Sequence, residues 1–143
     1  MNRYLEEKIL TAEPVELIRL VYQVAISSVR DARSHLRDGK IAKRATSINC
    51  AWKAVAELNG ALDAEVAPEL ATRFRNLYLY IQGRLVQANC EQSDELLSEV
   101  LVLLTTLSEG WAGVVEQTLH TDTQRFNSVY PIPVQIDRVA VTA

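Results

Sequence analysis

The sequence predicts an all-α fold, an antiparallel up-down four-helix bundle with a short N-terminal arm or helix and an irregular C-terminal tail. Three observations predict it. Four long stretches carry apolar residues at helical spacing. Helix-start signals open three of them, at Pro14, Pro68 and Ser93. The breaks between them are short, which favours antiparallel neighbours. The 143 residues make one domain by length, large enough to bury a core.

The first helix is expected from about Pro14 to Arg37. Ile18, Tyr22, Ala25, Val29, Ala32 and Leu36 recur at spacings of four and three and share one face. Leu17, Leu20, Val21 and Val24 widen that stripe, so the helix is read as buried on two sides. Asp38-Gly39 ends it, with Gly39 suited to a left-handed C-terminal position. The second helix runs from about Ile41 to Leu62, with a seam of Ile41, Ala45, Ile48, Trp52, Val55, Leu58 and Leu62. Lys40, Lys43, Arg44 and Lys53 are assigned to water, and Asn59-Gly60 weakens the last turn. The third begins at Pro68 and ends near Asn89, with Leu70, Phe74, Leu77, Ile81, Leu85 and Ala88 facing in and Tyr78 beside them. The fourth starts after the N-cap Ser93, with Asp94 and Glu95 at the positive end of the dipole. Its seam is Leu97, Val100, Leu101, Leu104, Leu107, Trp111 and Val114.

Residues 1–118 are therefore read as a helical bundle domain and 119–143 as an irregular or partly docked tail. Pro131 and Pro133 oppose a helix there, yet Val134, Ile136, Val139 and Val141 are more apolar than most disordered tails.

Composition excludes several function classes. A net charge of -3 argues against nucleic acid as the partner. Arg3, Glu6, Glu7 and Lys8 interrupt any signal-peptide pattern, and the aliphatic run Val100–Leu104 is too short to span a bilayer. Cys50 and Cys90 suggest two reduced thiols in a cytosolic protein rather than a disulfide framework. His35 and His120 lack the Glu-x-x-His spacing of a di-iron bundle. The five glycines are scattered and build no phosphate loop. No catalytic residue, metal ligand or cofactor is expected, and the chain is read as a non-enzyme.

Apolar surfaces remain as the binding candidates. Tyr4, Ile9 and Leu10 lie in an arm too short to be a stable helix alone, so it must rest on something. Leu17, Val21 and Val24 exceed what a four-helix seam needs. Cys50, Ala51 and Ala54 are small and off the main seam, and small residues leave grooves that accept amphipathic segments. Trp52 and Trp111 are read as core. Tyr78 and Tyr80 lie two residues apart, about 200° around the helix, so one of them faces out.

The ordered set of motifs resembles the flagellar export chaperone family (FliS). Tyr4, then Thr11-Ala12-Glu13-Pro14, then Leu17 to Tyr22 matches the family's opening block. Ile48, Ala51, Val55, Glu57-Leu58-Asn59 and Leu62-Asp63 resemble its second helix. Leu77-Tyr78, Tyr80, Leu85 and Ala88-Asn89 resemble its third, and Asp94, Leu97, Glu99-Val100 and Trp111 its fourth. The resemblance covers about residues 4 to 115. Two departures stand out. Glu13 replaces the usual hydroxyl residue before the proline, and Val21-Tyr22-Gln23-Val24 replaces the family's Leu-Tyr-Asp-Gly.

The resemblance implies a cytoplasmic chaperone that binds the disordered C-terminal segment of flagellin in apolar grooves. It would prevent premature polymerisation and deliver the subunit to the flagellar type III export gate. It implies an export gate component and other flagellar regulators as further partners, with no nucleic acid and no membrane insertion. The contact residues are then expected among Tyr4, Ile9, Leu10, Leu17, Val21, Val24, Ala51, Ala54, Tyr78, Tyr80 and Asn89. The residues alone also admit a homo-oligomeric helical scaffold or adaptor that exchanges its arm or tail between copies.

Overall fold

The computed structural model describes residues 14–62, 65 and 68–120, with only the backbone described at 14, 15 and 114–120. The arm with Tyr4, Ile9 and Leu10, and the tail after His120, lie outside the described residues. Four helices follow in order: α1 (Pro14–Arg37), α2 (Ile41–Gly60), α3 (Pro68–Glu91) and α4 (Asp94–His120). No strand occurs among the described residues.

Two of the helices, α1 and α3, stop for a local reason. At the end of α1 the Lys40 N–H donates to the His35 carbonyl (2.9 Å) and the Gly39 N–H to the Leu36 carbonyl (3.3 Å). With Gly39 at φ 69°, this is a Schellman cap, and glycine takes the left-handed conformation without a Cβ clash. The end of α3 closes in a related way, with the Ser93 N–H on the Ala88 carbonyl at 3.1 Å. There the left-handed residue is Gln92, at φ 53°. A non-glycine side chain in that region carries a strain of about 1 kcal/mol. Ser93 then caps the next helix, its Oγ accepting the Leu96 N–H at 3.2 Å.

The helices pack as a ring, α1 against α2 and α4, and α3 against α2 and α4. Polar ties show the antiparallel order. Arg33, near the end of α1, holds Asp94, the first residue of α4, through two bonds of 2.8 and 3.0 Å. That contact, above all its hydrogen bond, lowers the Asp94 pKa below the usual aspartate value. Arg44, early in α2, donates to the Asn89 side chain near the end of α3 (3.1 Å).

The core fills along the α1 seam read from sequence: Ile18, Tyr22, Ala25, Val29 and Ala32 are buried, and Leu36 is partly so. Across it lie Ile48, Val55 and Leu58 of α2, Ile81 and Leu85 of α3, and Leu97, Val100, Leu104 and Trp111 of α4. In the middle, the Tyr22 and Tyr78 hydroxyls meet at 2.7 Å. Tyr22 also packs on Trp111, with ring centroids 6.4 Å apart, and Tyr78 stacks on Phe74 at 5.9 Å.

Several assignments from periodicity change. Trp52 is 38% exposed rather than core, and Ile41, Leu70 and Leu77 also face solvent. In α3 the expected Ile81, Leu85 and Ala88 are buried and Phe74 packs against the core, but in the first half of the helix Ala71 and Tyr78 are buried in place of Leu70 and Leu77. A small Ala71 lets the helices approach, and Tyr78 is held in by its bond to Tyr22. Arg44, assigned to water, is buried. Its guanidinium also reaches the Asn89 carbonyl at the C-terminal end of α3 (3.4 Å), where a cation is favoured by the helix dipole.

Two measurements check this account. Tyr22→Phe and Tyr78→Phe, alone and together, form a denaturation cycle. Each single change removes the Tyr22–Tyr78 hydrogen bond and is expected to cost about 1–2 kcal/mol, while the double change costs less than their sum. A coupling near zero would contradict the pairing. For the caps, Gly39→Ala should lower stability by about 1 kcal/mol and Gln92→Gly should raise it by a similar amount, read as opposite shifts in Tm.

Candidate functional site

A groove of about 530 Å³ runs between α1 and α2. Its physical origin lies in α1, which carries two apolar stripes. The Tyr22 stripe turns into the core, and Leu17, Val21 and Val24, spaced by four and three residues, run alongside it. The facing side of α2 is small at its base, with Cys50 and Ala54, so two helices with a shared apolar seam still leave a furrow. Thr46, Asn49, Lys53 and Glu57 form the rest of the α2 wall. The Thr46 hydroxyl donates back to the Ala42 carbonyl (3.0 Å) and is satisfied within its own helix. Neither Lys53 nor Glu57 is ion-paired among the described residues. The result is an apolar floor with one cation and one anion a turn apart at the rim.

The residues singled out in the sequence fall in different places. Leu17, Val21, Val24 and Ala54 line this groove. Ala51 lies beneath it, fully buried. Tyr78 is in the core and offers no surface in this conformation. Tyr80 is the exposed member of the tyrosine pair, on a different face between α3 and α4. Its hydroxyl donates to Glu99 (3.0 Å) and accepts from Arg84 (2.9 Å). The Arg84 guanidinium sits 5.1 Å from the Tyr80 ring centre, and its pKa is raised chiefly by that hydroxyl. Asn89 holds Arg44 and lines a second, shallower depression of about 310 Å³ with Ala45, Ile48, Trp52, Val86 and Cys90.

Sequence reading did not mark Thr46, Asn49, Lys53 and Glu57 as groove wall. They repeat with Cys50 and Ala54 at helical spacing, so a stripe was present, but its mixed polarity hid it from a search for apolar residues. Both cysteines are free, Cys50 in the groove and Cys90 exposed at the second depression. Among the described residues no group of three or more His, Cys, Asp or Glu is placed to hold a metal ion. No described helix is long and apolar enough to cross a membrane.

Comparison with known proteins finds a family and several relatives. A family model described as Flagellar protein FliS matches residues 1–118. The flagellar secretion chaperone FliSB of Pseudomonas aeruginosa is 34% identical over 110 residues, 77% of this chain and 87% of that protein. The flagellar secretion chaperone FliS of Salmonella typhimurium is 31% identical over 107 residues, 74% of this chain and 79% of that protein. The Bacillus subtilis chaperone of the same name is 26% identical over 113 residues, 79% of this chain and 84% of that protein. The match takes in the first three helices whole, including the two whose side chains line the groove, and all but the last two residues of the fourth, and the chain therefore belongs to the FliS family.

Proposed function

We propose that this protein is a flagellar secretion chaperone that holds the disordered C-terminal segment of flagellin in the α1–α2 groove. It acts in the cytoplasm, blocks premature polymerisation and hands the subunit to the flagellar type III export gate. The observation that carries the reading is the groove itself, an apolar floor of Leu17, Val21, Val24 and Ala54 that is open among the described residues. Names shared by its relatives support the chaperone role.

The physics suits such a partner. A segment that folds on binding gives up conformational freedom, so it needs broad apolar contact to bind. The groove supplies that contact without a catalytic step. Lys53 and Glu57 at its rim supply a polarity that favours one direction of the bound segment over the other.

Titration of the full chain with a peptide of the flagellin C-terminal segment tests the proposal. Binding at micromolar concentration is expected. Val21→Asp should weaken it at least about tenfold, equivalent to about 1.4 kcal/mol, while helical content is kept. Tyr80→Ala, on another face, should leave it unchanged. Absence of binding by folded protein would overturn the proposal, and equal binding by the Val21 variant would move the site elsewhere.

A further inference from the structure

We propose that the depression between α2 and α3 is a second docking site, which takes an amphipathic helix of a partner protein and pairs a carboxylate of that helix with Arg44. The proposal goes beyond the flagellin reading and does not depend on it.

Three observations carry it. The first is a cation without a counter-charge. Arg44 is 6% exposed, and its guanidinium donates to the side-chain oxygen and the carbonyl of Asn89, at 3.1 and 3.4 Å. Both acceptors are neutral, and Arg44 forms no ion pair among the described residues. A guanidinium has more donors than two acceptors use, and a buried charge is costly unless it is paired. The C-terminal end of α3 supplies only part of the missing charge, about half an elementary charge. The carboxylates of the two helices, Glu57, Glu69 and Glu91, do not line the depression. Glu57 belongs to the α1–α2 groove, and Glu91 acts on Arg84.

The second is an apolar surface beside that cation. Asn89, which holds Arg44, lines the depression with Ile48, Trp52 and Val86. Val86 is 53% exposed. Gln82 donates to the Trp52 carbonyl at 3.3 Å, so its side of α3 faces α2. Leu79 and Val86 stand three and four residues either side of Gln82, and the exposed Leu79 therefore lengthens the apolar strip.

The third is shape. A hollow of about 310 Å³ this shallow cannot enclose a small ligand, but it can seat a helix face. Trp52 and Arg44 lie eight residues apart on α2, which is about 12 Å at 1.5 Å per residue. A partner helix matches that length with apolar residues at i and i+4 and a carboxylate at i+8. An acidic partner complements a face of this sign and a basic one does not. Asn49 touches both hollows and α2 stands between them, so the two partners are held side by side.

The test uses the full chain and two synthetic alanine-based helical peptides. One carries Leu at i and i+4 and Glu at i+8, and its twin has Gln in place of that Glu. Binding is read as a blue shift of Trp52 emission, with the buried Trp111 as a constant background. The Glu peptide should bind at least about tenfold more tightly than its twin. Val86→Gln, at an exposed position, should weaken both peptides about fivefold. Asn89→Asp places a carboxylate on Arg44 from within the chain, and should abolish the preference for the Glu peptide while helical content is kept. Equal binding of the two peptides would overturn the proposal, as would no binding by folded protein. A preference that survives Asn89→Asp would remove Arg44 from the site, and unchanged binding by the Val86 variant would remove the depression. Release of the Glu peptide by a saturating flagellin C-terminal peptide would overturn the separation of the two sites.

Discussion

Two phenol hydroxyls buried in an apolar core set the arrangement of this bundle. Tyr22 on α1 and Tyr78 on α3 lie on helices that are diagonal in the ring, and their hydroxyls meet at 2.7 Å. A buried hydroxyl with no partner is costly, so the pair constrains the rotation of both helices. Once Tyr22 points inward, Val21 is fixed about 100° around α1, and Leu17 and Val24 follow on the same stripe. That stripe is the floor of the groove. The core and the candidate site are thus two consequences of one helix rotation. Trp111, tilted against Tyr22, and Phe74, stacked on Tyr78, reinforce it with aromatic contact.

The two ends of the bundle are built differently. At one end α1 and α3 finish in similar caps, Arg33 ties α1 to α4, and Arg44 ties α2 to α3. The Arg33–Asp94 pair is substantially exposed and contributes little on its own, about 0.5 kcal/mol, but it sets which helix ends are adjacent. Because the Asp94 pKa is lowered by folding, that contribution is present above the ordinary aspartate value and is lost as pH falls through the lower folded one. The aromatic cluster lies between the two ends, and the groove runs alongside it from Thr46 to Glu57. A partner segment thus meets an apolar furrow on a bundle whose polar end is already locked.

Much of this was legible in the sequence. Pro14, Gly39, Pro68 and Ser93 mark helix boundaries through local chemistry that does not depend on tertiary context. The α1 seam was legible because Ile18, Tyr22, Ala25, Val29 and Ala32 repeat along most of the helix, whereas the second stripe of Leu17, Val21 and Val24 is confined to its first half. The α3 seam was less so, since Leu70 and Leu77 are as apolar as the residues that displaced them, and periodicity cannot choose between neighbouring stripes. Trp52 was misplaced for the same reason, because its stripe meets the depression beside Val86 and not the core. Arg44 was missed because its burial depends on Asn89, 45 residues away, and on the dipole of another helix. In the groove, the apolar α1 side could be read from excess hydrophobicity, but the α2 wall could not, because a wall of Thr46, Asn49, Lys53 and Glu57 looks like an ordinary wet face.

The most direct measurement is a methyl NMR titration of the full chain with the flagellin C-terminal segment. The account predicts that the first and largest changes fall on Leu17, Val21, Val24 and Ala54. The buried Val55 and Leu85 methyls should shift little, because the Tyr22–Tyr78 core stays in place. Changes confined to Ile48 and Val86 at the α2–α3 depression, with the groove methyls unmoved, would contradict it.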